Sequence, residues 1–123
     1  MSDAQVQQVL VKFFTEIDNV YTAAGAPPHG QPEADMLQWT IDLESEQLKI
    51  VDNYLAANAF PAEVKQHLTD MKDGLTERID IYQSWIDNAQ TRDSAPASEG
   101  SAADAAAEQS TYAETQLRIK AGV

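Results

Sequence analysis

Cysteine is absent from the 123 residues, which excludes disulfides, thiolate zinc sites, iron–sulfur clusters and cysteine nucleophiles. Bases are scarce: 8 Lys+Arg stand against 20 Asp+Glu, a formal charge of −12. Nucleic-acid binding needs basic surface to neutralise phosphates, so no nucleic-acid partner is expected. Long apolar runs are missing as well. The longest is broken by Lys12, far short of the roughly 18 residues a membrane span needs, so no membrane role is expected. Met1-Ser2-Asp3-Ala4-Gln5 carries neither a basic nor an apolar leader segment, which gives no signal peptide and a cytoplasmic protein as the expectation. Glycine occurs five times, never in a Gly-rich phosphate-binding pattern.

What is present is globular in kind. Apolar residues make up 43% and charged residues 23%, the proportions of a packed domain. A compact chain of this mass exposes roughly 6,500 Å² of the about 19,600 Å² it exposes unfolded. Burying two thirds of its surface gives one domain a core without a metal or a disulfide.

The apolar positions recur at helical spacings. Over Asp3–Ala24, Val6, Val9, Leu10, Phe13, Phe14, Ile17, Val20 and Tyr21 form one stripe opposite Gln7, Lys12, Glu16, Asp18 and Asn19. Ser2 and Asp3 supply a cap and a favourable first-turn charge, and Gly25 with Pro27-Pro28 stops the helix. A second helix is predicted over 32–58, starting at Pro32. One seam reads Leu37, Ile41, Glu44, Leu48, Val51, Leu55, and a second row, Met36, Trp39, Leu43, Ile50 and Tyr54, widens the apolar face enough to meet two neighbours. Pro61 opens a third helix over 61–92, striped by Val64, Leu68, Met71, Leu75, Ile79, Tyr82, Trp85 or Ile86, and Ala89. Asp73-Gly74 is a turn signal there, yet the apolar phase passes through without a slip, which favours one continuous helix. Residues 94–102, rich in Ser, Ala and Pro, read as a flexible linker. Residues 103–123 read as a weaker fourth helix or a docking tail, with Ser101 and Asp104 as a capping box and a thin apolar face of Tyr112, Leu117 and Ile119. The expected fold is a small all-α antiparallel bundle of three long helices, residues 1–93, with that weaker C-terminal fourth.

Catalytic chemistry finds little support. Di-metal bundles use Glu-x-x-His pairs, and neither His29, in a Pro/Gly loop, nor His67, between Glu63 and Asp70, belongs to one. No serine has a histidine placed to activate it. Asp42, Glu44 and Glu46 alternate along one helix and do not face each other. The expectation is a non-enzyme without cofactor or metal.

Glu44 stands out because it falls in an apolar seam, where a charge is costly unless paired. A hairpin folded about residues 59–60 sets residue i opposite roughly 119 − i, about one helical turn from bringing Glu44 against Arg78. The two either reach water at the seam's edge or form a partly buried pair that fixes register. The surplus of apolar surface on Met36, Trp39, Leu43, Ile50, Ile81 and Trp85 suggests an exposed strip for a partner protein or a second copy. Residues 1–60 carry nine acids and two bases, which biases the choice toward basic partners. The sequence thus points to an acidic adaptor or assembly component acting by protein–protein interaction or self-association. The alternative is an acidic, immunity-type inhibitor that covers a partner's basic, nucleic-acid-binding surface.

Overall fold

A computed structural model of the chain describes residues 1–29 and 33–123. Four helices run α1 Asp3–Ala24, α2 Glu33–Ala57, α3 Ala62–Asp87 and α4 Ala97–Ala121. The expected start of the second helix at Pro32 lies outside the described residues. Each helix packs against the two beside it, α1 on α2 and α4, α3 on α2 and α4, so the four close a ring around a common interior. No helix among the described residues is long and apolar enough to cross a membrane.

α1 forms as its pattern dictates. The Ser2 hydroxyl accepts from the Gln5 backbone N–H, and the Gln5 side chain accepts from the Ser2 N–H, which satisfies two otherwise unpaired donors. Gly25, at φ +66°, ends it. Val6, Leu10, Phe13, Phe14 and Ile17 are buried, and each contributes about 1.5–3 kcal/mol of apolar burial. Phe13 packs edge-on against Phe14 and Tyr54, with ring centroids 5.0 and 5.2 Å apart.

α3 is continuous through Asp73-Gly74. It ends at Asp87, five residues earlier than the predicted 92. The chain turns there because Ala89 adopts φ +52°, while Gln90 N–H donates to the Trp85 carbonyl and Ala89 N–H to that of Ile86. This pair of reverse bonds is a Schellman closure, and it takes Ala89 out of the apolar stripe and leaves it exposed.

The largest departure is α4. It begins at Ala97, directly after Pro96, so residues 97–102 are helix and not linker, and the Ser101/Asp104 capping box is not the start. Proline's fixed φ suits a helix entry, and the run of alanines favours helix over coil. Its buried face is not Tyr112 and Ile119, which are 65% and 68% exposed, but Ala103, Ala106, Ser110, Ala113, Leu117 and Ala121. Those small side chains let α4 lie along α3 in the most extensive of the helix–helix contacts. Gly74 sits at the contact: a β-carbon there would stand 2.6 Å from the Ala106 carbonyl oxygen and 3.0 Å from Ser110. The fourth helix is therefore a full member of the bundle.

Candidate functional site

The interior falls into two apolar clusters. One gathers α1 (Leu10, Phe13, Phe14, Ile17), Val51, Leu68, Met71, Leu75 and Leu117. The other gathers Leu37, Ile41, Tyr82, Trp85, Ala95 and Ala103. Along α2 the order is Ile41, Glu44, Gln47, Val51; along α3, Leu75, Arg78, Tyr82; along α4, Ala103, Ser110, Ala113. Polar residues thus stand between the clusters on three helices. Glu44 and Gln47 are 2% and 3% exposed.

Arg78 forms an ion pair with Oε1 of Glu44 and lies 6.0 Å from the Tyr82 ring centroid. Together with Lys72–Asp52 at 2.9 Å, this pair sets residue i of α2 across from about 123 − i of α3. A cavity of about 50 Å³ adjoins Glu44, Gln47, Arg78 and Ser110, with Tyr21 and Glu114 also lining it. The Tyr21 hydroxyl donates to Glu114 Oε1 at 3.4 Å. Burial, then the Glu114 charge, raises the Tyr21 phenol's pKa, and the Gln47 side-chain amide beside the phenol opposes that rise. Burial likewise pushes the Glu114 carboxyl up, against the opposing pull of Arg118, whose guanidinium is 3.6 Å away. Arg118 also binds Asp18 at 2.8 Å and stacks 4.3 Å from the Phe14 centroid.

The six residues expected to form an outward strip do not share one surface. Trp85 is fully buried; its indole N–H donates to Glu99 Oε1 at 3.1 Å, which ties the first turn of α4 to α3. Arg92, 5.9 Å from the Trp85 ring, donates to the Tyr82 hydroxyl and to Asp104, both at 3.0 Å. A residue this enclosed cannot serve a partner. Ile81 packs against the same cluster, Ile50 packs against the other, and Met36 is half-buried.

Trp39 and Leu43 do come together, in a groove of about 590 Å³ between the last turns of α1 and the first half of α2. Val20, Ala23 and Ala24 form its other wall, and Asn19, Asp42 and Glu46 its rim. The indole N–H of Trp39 donates to the Ala24 carbonyl at 3.1 Å, which uses an otherwise unpaired helix-end acceptor and fixes the ring. The groove exists because α1 presents alanines, not large side chains, where it passes Trp39.

Sequence reasoning missed Gln47, Ser110 and the Tyr21–Glu114 contact. Gln47 was findable, since it lies three residues from Glu44 on the same helical face. His67 and Glu63 approach to 3.9 Å, and among the described residues no three His, Cys, Asp or Glu side chains gather to hold a metal ion. No family model matches the chain, and no curated protein or solved structure matches it.

Proposed function

We propose that this protein is a non-enzymatic interaction module whose α1/α2 groove receives a basic amphipathic helical segment of a partner protein. The observation that carries the reading is the pairing of an apolar wall, Val20, Ala23, Trp39 and Leu43, with a rim bearing the carboxylates of Asp42 and Glu46. An apolar helix face supplies affinity in such a groove, and the carboxylates favour lysines or arginines beside it. The sign of charge around the groove supports the same partner: α1 and α2 hold Lys12 and Lys49 as their bases, and because Lys49 pairs with Glu46 at 2.8 Å, Asp42, which accepts from the neutral Gln38 amide, carries the uncompensated charge of the rim. Exposed carboxylates lie on all four helices, so charge alone marks out no single face; the groove does.

The test is titration with a synthetic lysine/leucine amphipathic helix, read by amide and indole NMR. The Trp39 indole cross-peak is expected to shift while that of buried Trp85 stays fixed. Affinity should fall roughly tenfold between low and high salt as the rim charges are screened, and Leu43→Asp should abolish binding. Shifts scattered over carboxylates of all four helices, with Trp39 unmoved, would overturn the reading.

A further inference from the structure

Three buried polar atoms of the layer between the two apolar clusters have no hydrogen-bond partner within 3.5 Å among the described residues: Glu44 Oε2, Gln47 Nε2, whose amide faces the Tyr21 hydroxyl across the cavity at longer range, and Arg78 Nε. They belong to three side chains that line the same cavity of about 50 Å³. One is an acceptor and two are donors, so the group that satisfies all three must both give and receive hydrogen bonds. Charge adds a second restriction. Glu44 is matched by Arg78, and Arg118 is shared between Glu114 and the more exposed Asp18, so each charge at the cavity already has a partner and a neutral occupant is favoured. Volume adds a third: with about 10–15 Å³ needed per enclosed water, a space of 50 Å³ suits only a few non-hydrogen atoms.

We infer that this cavity is a site for a cluster of about three buried water molecules, held by Glu44, Gln47 and Arg78. Gln47 Nε2 and Arg78 Nε donate to water oxygens, and a water donates to Glu44 Oε2. Ser110, whose own hydroxyl donates to the Ala107 carbonyl at 3.1 Å, keeps lone pairs free for a further water. Tyr21, 43% exposed and tied to Glu114, stands at the solvent side and controls exchange. The waters link α2 to α3 at the one level where the two apolar clusters do not meet, a role the proposed groove does not require.

Magnetic relaxation dispersion of water oxygen-17 and deuterium on the full chain counts waters that stay longer than nanoseconds. About three are expected in the wild type, reduced to one or none in Gln47→Leu, which removes a donor and fills space with apolar volume. Tyr21→Ala should leave their number unchanged and shorten their residence at least several-fold. Water-to-protein cross-relaxation at the Gln47 side-chain amide of the unmodified protein provides the same reading if the Gln47 variant fails to fold. The inference is overturned by an absence of long-lived water, by an equal count in a folded Gln47→Leu, or by a small organic molecule released from the cavity on denaturation.

Discussion

Gly74 on α3 faces the backbone carbonyl of Ala106 on α4 so closely that a β-carbon would stand 2.6 Å from that oxygen. The glycine is thus a packing requirement between two helices and not a turn. Gly74→Ala sets helix propensity, worth about 1 kcal/mol in favour of alanine, against a backbone clash that forces the helices apart. The clash wins, and a net loss of about 2 kcal/mol is expected in urea unfolding, in the range of overpacked cores. Gly100 is the control. It also lies inside a helix, but a β-carbon there meets nothing within 4 Å, so Gly100→Ala should stabilise by about 0.5–1 kcal/mol.

Ala89 holds a left-handed conformation, φ +52°, with an alanine where glycine is the usual residue. Its β-carbon costs about 1 kcal/mol there. Ala89→Gly should recover about 0.5–1 kcal/mol, less the added chain entropy of glycine in the unfolded state. The midpoint of thermal unfolding should rise by a few degrees for a domain of this size; a fall would mean that α3 does not end in this closure.

The Glu44–Arg78 pair is expected to show strong coupling. Glu44→Leu leaves the guanidinium of Arg78 without its buried partner, and about 3 kcal/mol should be lost. Arg78→Leu should cost as much or more, since Glu44 is the more deeply enclosed of the two. The double variant should regain most of the loss, because removing both charges removes the desolvation each imposes. Additive losses in a double-mutant cycle would show that the two side chains act separately.

Alkaline pH tests a different contact. The Tyr54 hydroxyl donates to Glu16, and burial followed by that bond pushes the phenol up to about 12 from 10.0. Its pKa is thus higher folded than unfolded, so the unfolded chain loses this proton first. The stabilisation is complete below pH 10 and disappears as pH climbs through about 12. Tyr54 is half-buried but Glu16 is exposed, so after allowance for solvent screening about 1 kcal/mol at most is at stake. Tyr54→Phe should be less stable at pH 8 and should lose less on moving to pH 12.

The parts of the fold legible in the sequence were those built from large side chains. The stripe from Val6 to Ile17 and the cap at Ser2 announce α1 because volume and polarity both alternate at helical spacing. α4 was hard to read because it packs by smallness. Ala103, Ala106, Ser110 and Ala113 carry almost no hydropathy contrast, and their value appears only when Gly74 is found opposite. The same logic explains the candidate site. Glu44 was conspicuous as a charge in a seam, but whether a broad apolar face meets solvent depends on how many helices surround it. With α4 in place, Trp85 is enclosed and Ile81 packs against its cluster, which leaves Trp39 and Leu43 at a groove.

α1 supplies five buried residues to one apolar cluster and none to the other. The bundle is therefore of unequal order along its length: four helices share the interior at one end, and α2, α3 and α4 share it at the other. Amide protons should record that inequality. The slowest exchange belongs around Leu10, Leu68 and Leu117, where a cooperative opening must separate all four helices. Amides near Leu37 and Ala103 should exchange through smaller openings that leave the first helix in place.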